Sequence, residues 1–324
     1  MTAFLTTPAS NFADLADYQF KPNYHQWHDL HLHYLDVGPK AGPVMLLMHG
    51  MPTWSYLYRH IIPILVGAGY RCIAPDQLGF GKSDKPTDIY WYSIARHTEV
   101  LTSLIISLDL QRITLVCQDW GGPIGLAQVA TMPERFDRLT IMNTWLHHPE
   151  FKYSKAIERW RNNWQEGGLF AGERPNVGLL VALSAKLIDR DLAIKGFIAG
   201  SLADYPSPEC AAMVAAYNAP FRELDDAAYN GLRRFPLAIP MTPESYNVGS
   251  GSAQTLHYKR LLQWRKPIHF IWGCQDDVFD ERWGREWASK YSQATFDPIA
   301  DAGHFLQNTH GADIANRLLR RMEQ

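Results

Sequence analysis

The stretch ITLVCQDWGGPIG, residues 113–125, decides the fold. Its first residues are apolar or β-branched and read as a short buried strand. Gly121 and Gly122 then open an apolar helical pattern, and Asp119 sits between the two. A strand that turns sharply into a helix, with a reactive side chain at the tip and small residues beside it, is the layout of a nucleophile elbow. Backbone N–H groups at the start of the helix favour an anion there. A carboxylate in the place of the commoner serine forms an ester with whatever carbon it attacks. The plainer account of Asp119 is an N-cap for the helix that follows. That account explains one residue and leaves its company unexplained.

Three other segments supply that company. HGMPTWSYLYR, residues 49–59, directly follows a strand and places a loop beside the elbow. In such an arrangement the backbone N–H groups of Met51 and Trp120 are the expected oxyanion hole. A simple strand-to-helix turn would account for Gly50 and Pro52 alone. IWGCQDDVFD, residues 271–280, ends a strand and carries Asp276 and Asp277 in the loop, where an acid can hold a histidine in the working tautomer. DAGHFLQ, residues 301–307, places His304 in a late loop after a glycine. The chain order is nucleophile, acid, histidine. His304 stands out from the other histidines, 13 in all, by this context and order.

Around these segments short apolar runs alternate with helical patterns. Residues 43–48, 71–74, 113–118 and 139–143 read as strands, and 55–66, 90–108 and 123–132 as helices. Such alternation predicts an α/β fold with a mostly parallel sheet covered by helices on both faces. Beyond Trp145 the character changes. Residues 158–165, 178–188 and 209–218 are helical in pattern, Pro206 and Pro208 break the chain, and no convincing strand is found up to residue 248. The alternation then resumes, with helices at 252–264, 281–291 and 311–322 and strands at 269–272 and 295–297. The expected organisation is a core of residues 1–145 and 249–324 with an inserted helical cap domain, residues 146–248.

Composition excludes several classes. Lys plus Arg number 31 and Asp plus Glu 33, a net charge of −2, so no basic excess exists to neutralise phosphates and nucleic acid is not an expected partner. No apolar run is long enough to span a bilayer, and the N-terminus lacks the basic start of a secretory signal, so no membrane partner is expected. Cys72, Cys117, Cys210 and Cys274 show no metal-ligand spacing, and three of them lie in or beside strands, as reduced core residues do. Reduced thiols fit a cytoplasmic setting.

HGMPTWSYLYR, APDQLGFGKSDKP (residues 74–86), QDWGG (118–122) and DAGHFLQ together resemble the haloalkane dehalogenases, enzymes of the α/β-hydrolase fold with an aspartate nucleophile. The likeness is greatest to the branch whose halide site uses two tryptophans. The resemblance implies hydrolytic dehalogenation of small apolar haloalkanes, with no cofactor and no metal, and with halide ion as a product. It makes Asp119 the nucleophile, His304 the base and Asp276, three residues after Gly273, its acid. It makes Trp120 the first halide donor and, from the pattern ERWRNNWQ (158–165), Trp160 the second. Trp164, four residues on and on the same helix face, is the runner-up. Met51 departs from the pattern, since relatives tend to carry Glu or Asn there, and a methionine side chain cannot donate to a halide. AYNAPF…GLRRFPLAIP, residues 216–240, also matches; its expected role is structural, with a cap helix over 224–234 and Phe235 and Leu237 near the tunnel. Epoxide hydrolases share much of this pattern and need cap tyrosines as acids; Tyr153, Tyr205, Tyr217, Tyr229 and Tyr246 all fall in the cap. A second alternative is a non-catalytic protein of this fold that binds a small molecule. The oligomeric state is not legible in the sequence.

Overall fold

The computed structural model describes residues 2–170 and 172–322. Eight strands form one sheet: β1 (Asn23–Trp27), β2 (Leu30–Val37), β3 (Val44–Met48), β4 (Arg71–Pro75), β5 (Ile113–Gln118), β6 (Phe136–Met142), β7 (Ile268–Gly273) and β8 (Ala294–Ile299). Their spatial order is β1-β2-β4-β3-β5-β6-β7-β8. All neighbours from β4 to β8 are parallel, and β2 runs antiparallel to both β1 and β4. β3, β5 and β7 are buried at every residue, as strands covered on both faces must be. That continuous apolar character is why the sequence marks them so clearly.

Of the core helices, α1 (Ile62–Gly67) packs on α12 (Leu306–Met322), while α2 (Ile94–Ser107), α3 (Gly121–Thr131) and α10 (Gly251–Leu261) pack together. α11 (Glu281–Ala288) lies against β7 and β8. The helix expected over 55–66 is two pieces, a 3-10 turn over Ser55–Tyr58 and then α1, with a proline in the first turn of α1. The β1–β2 hairpin lies outside the expected elements; His28, at positive φ, turns the chain between its strands.

Between β6 and β7 no described residue is in a strand. The segment contains α4 (Lys155–Trp164), α5 (Val177–Ser184), α6 (Arg190–Ala199), α7 (Pro208–Asn218), α8 (Asn230–Leu237) and α9 (Pro243–Val248) before α10. Side chains cap most of their N-termini. Ser154, Asn176, Asp189, Ser207 and Thr242 each accept a backbone N–H of the first turn. Ser154 also donates its hydroxyl to the Val278 carbonyl, 3.1 Å away, which ties the start of α4 to the loop after β7. No described helix is long and apolar enough to cross a membrane.

Candidate active site

The loops after β3, β5, β6 and β7 converge at the carboxyl ends of parallel strands, where open α/β sheets form their binding crevices. Asp119 is there because the chain leaves β5 in a left-handed turn, φ 50°, before α3 begins. Three hydrogen bonds fix that turn. The Asp119 N–H donates to the Asn143 carbonyl at 3.0 Å, and the Asp119 carbonyl accepts from Gly122 N–H at 2.9 Å and from the Thr144 hydroxyl at 2.5 Å. Small residues are required around it. A Cβ on Gly50 would sit 2.2 Å from the Asp119 carboxylate, and one on Gly122 would sit 2.0 Å from the Thr144 oxygen.

The carboxylate is held at both ends. One oxygen accepts the Met51 backbone N–H at 2.8 Å; the other lies 3.5 Å from His304 Nε2. On its far side His304 Nδ1 meets the Asp276 carboxylate at 2.7 Å. Asp276 is buried and accepts two more donors, Asn143 Nδ2 at 2.8 Å and Val278 N–H at 2.7 Å. The structure therefore brings Asp119, His304 and Asp276 into one line. Asp277 instead faces outward and pairs with Lys186. Burial alone would lower the His304 pKa, but the negative charges of Asp276 and Asp119 outweigh it and raise the value to about 10. These two charges favour the protonated ring.

Two residues of this constellation were given no role by the sequence. Asn143 bridges the ends of β6 and β7: its side chain accepts from Gly273 N–H at 2.8 Å and donates to Asp276. Gln118 donates to the His304 carbonyl at 3.1 Å and lies the same distance from His304 Nε2. Their contacts cross 130 residues or more, so only their places after β6 and before the elbow could have marked them.

The motif at residues 74–86 buttresses the loop that carries Met51. His49 Nε2 accepts the Gln77 N–H at 2.9 Å, so Nδ1 carries the proton and donates to the Gly50 carbonyl at 2.9 Å. The Gln77 side chain returns a bond to the His49 carbonyl at 2.6 Å. Asp76, fully buried, accepts from Ser55 N–H, Lys82 N–H and His33 Nδ1. Burial would raise its pKa, but the His33 partner and these donors hold it below the usual carboxylate range.

Above Asp119 lies a small cavity with about 50 Å³ of room for the centres of water-sized molecules. Met51, Asp119, Trp120, Trp145, Tyr153, Trp160, Phe279 and His304 are among its walls. Trp120 packs edge-on against Trp145 and Phe235, with ring centroids 4.6 and 5.2 Å apart. Trp160, from α4, lines the cavity; Trp164 is buried away from it, 5.5 Å from Trp160 and against Phe170. Phe235 is a buried wall behind Trp120, while Leu237 is half-buried and off the cavity lining. Of the cap tyrosines, Tyr153 is on the lining and Tyr205, Tyr217, Tyr229 and Tyr246 are not.

A model of the α/β-hydrolase fold family matches residues 43–310. A haloalkane dehalogenase of Psychrobacter cryohalolentis is 37% identical over 98% of this chain and 97% of its own. One from Mycolicibacterium paratuberculosis is 34% identical over 97% of each. The solved structure of a tetrameric haloalkane dehalogenase from Paraglaciecola agarilytica superposes with a TM-score of 0.82, at 31% identity and 97% coverage of both chains. With its sheet order, its aspartate elbow and these full-length likenesses, the chain belongs to the haloalkane dehalogenase family of α/β-hydrolase-fold proteins.

Proposed function

We propose that this protein hydrolyses the carbon–halogen bond of small haloalkanes through an ester on Asp119. The observation that carries the reading is the Asp119 carboxylate itself, at the base of a largely apolar cavity, held by Met51 N–H and facing His304. One carboxylate oxygen attacks the halogen-bearing carbon; the C–O bond forms as the carbon–halogen bond breaks, and its electron pair leaves as halide. The indole N–H groups of Trp120 and Trp160 receive the halide. Trp160 is preferred to Trp164 because it lines the cavity.

Ester formation removes the Asp119 charge and with it part of what keeps His304 protonated. The imidazolium then loses its proton, which departs with the halide, and becomes a base. Nε2 takes a proton from water as the water oxygen attacks the ester carbonyl. Backbone N–H groups of Met51 and Trp120 hold the oxyanion. On collapse the alkoxide takes the proton of the carboxylic acid so formed and leaves as alcohol, with His304 an imidazolium again. Asp276 holds the ring throughout. Residues 146–248 act as the cap that keeps bulk water out, over a core of residues 1–145 and 249–324. Four unpaired cysteines, three of them buried, suit a cytoplasmic protein.

The epoxide reading has less support, because a pair of cap tyrosines would be needed and Tyr153 is the one on the lining. The test is bromide release from 1,2-dibromoethane and 1-bromobutane, with an epoxide panel alongside. Asp119→Ala should abolish release, a loss of at least about 10⁴-fold. No bromide from the wild type, or release that survives Asp119→Ala, rejects the proposal; diol formation from epoxides alone selects the rival.

A further inference from the structure

Two polar side chains on the cavity wall have no part in the proposed reaction, Ser184 and Tyr153. Tyr153 is the more constrained. Its hydroxyl lies 2.8 Å from His147 Nδ1, and the two rings stack. His147 is itself fixed: its backbone N–H donates to Gln254 at 2.9 Å, Gln254 donates onward to the Gly249 carbonyl at 2.6 Å, and Tyr246 packs edge-on against the ring. The Trp145 indole N–H, also on this wall, is buried without a hydrogen-bond partner. Burial, reinforced by His148, lowers the His147 pKa.

A phenol offers one donor and two acceptor positions. If Tyr153 donates to His147, its lone pairs remain. If His147 donates instead, the phenolic proton remains. Either tautomer leaves Tyr153 capacity for a further hydrogen bond on the cavity wall. A site for plain alkanes makes no use of that remaining capacity.

We infer that Tyr153, steadied by His147, anchors an oxygen atom of the substrate, so that the site is built for short haloalkanes bearing a hydroxyl or ether oxygen. The inference rests on the reading of Asp119 as the dehalogenating nucleophile. The phenol takes no covalent part; it selects, by exchanging a substrate–water hydrogen bond for one already in place.

The experiment compares 3-bromopropan-1-ol with 1-bromobutane, a pair of equal heavy-atom count, by bromide release from the wild type and from Tyr153→Phe. In the wild type kcat/KM for the bromoalcohol should equal or exceed that for the bromoalkane, although water solvates the alcohol far better. In Tyr153→Phe the ratio of the two should fall about tenfold, the effect of one hydrogen bond. A wild-type preference of a hundredfold for the alkane overturns the inference without any variant, as does an unchanged ratio in Tyr153→Phe. Release from neither substrate overturns the dehalogenase reading and this inference with it; release from 1-bromobutane alone leaves the first standing and removes the second.

Discussion

Replacing Asp119 by asparagine mimics the loss of charge on ester formation while keeping the shape, and it should remove part of the negative charge that holds His304 protonated. The two groups are 3.5 Å apart and both buried. At an effective dielectric near 20, a unit charge at that distance is worth on the order of 5 kcal/mol, or roughly 3 to 4 pKa units. From a resting value of about 10, His304 in Asp119→Asn should titrate near pH 6 to 7, roughly where a general base is most effective. The assay is a pH titration of the His304 ring by NMR in histidine-labelled protein. The wild-type ring should stay an imidazolium through neutrality; the variant ring should be half neutral about three units lower. The sign carries to stability. A pKa raised on folding stabilises fully below the unfolded value of about 6.5, and the contribution is lost as pH rises towards about 10. Thermal unfolding of the wild type should therefore weaken between pH 7 and 10 more than that of Asp119→Asn. Equal titration in the two proteins, or a wild-type ring already neutral at pH 7, refutes the account of alkylation as the step that creates the base.

His304→Gln should stop after the first half-reaction: one bromide per protein molecule, and a protein heavier by one alkyl group, located on Asp119 by peptide mass spectrometry. Trp160→Phe should lower kcat/KM for bromide release by ten- to a hundredfold, roughly the loss of one charge-directed donor, while Trp164→Phe stays within about threefold; halide quenching of tryptophan fluorescence should weaken only in the former. Asn143→Ala leaves Gly273 N–H without its acceptor and Asp276 with one donor fewer. It should cost about 1–3 kcal/mol in denaturant unfolding, with a fall in kcat larger than any change in KM.

The line of Asp119, His304 and Asp276 was legible because each member sits in a short, self-contained motif: Asp119 before two glycines, Asp276 in a loop after a strand, His304 after Gly303. The buried central strands were legible for the same local reason. What escaped depends on distant partners or on faces that break the usual pattern. Asn143 earns its place through Gly273 and Asp276, on another strand, and nothing beside it in sequence says so. The β1–β2 hairpin is threaded with histidines, and Tyr24 is more than half exposed, so its apolar signal is diluted. Helix α6 turns Ile194 and Ile198 to water and buries Ala193 and Gly196, the reverse of what periodicity looks for. The closing helix, expected from Gly311, begins at Leu306 and kinks at His310. Tyr153 was one of five equivalent cap tyrosines until the fold turned its loop towards Asp119.

Val278 belongs to two assemblies at once. Its carbonyl takes the Ser154 hydroxyl at the head of α4, and its N–H holds the acid that steers His304. A single residue thus ties the head of α4, a wall of the cavity, to the carboxylate that holds His304. On the proposed mechanism, a change that slackens α4 to pass a bulkier molecule should also disturb Asp276, so that wider access and prompt release of the ester would trade against each other.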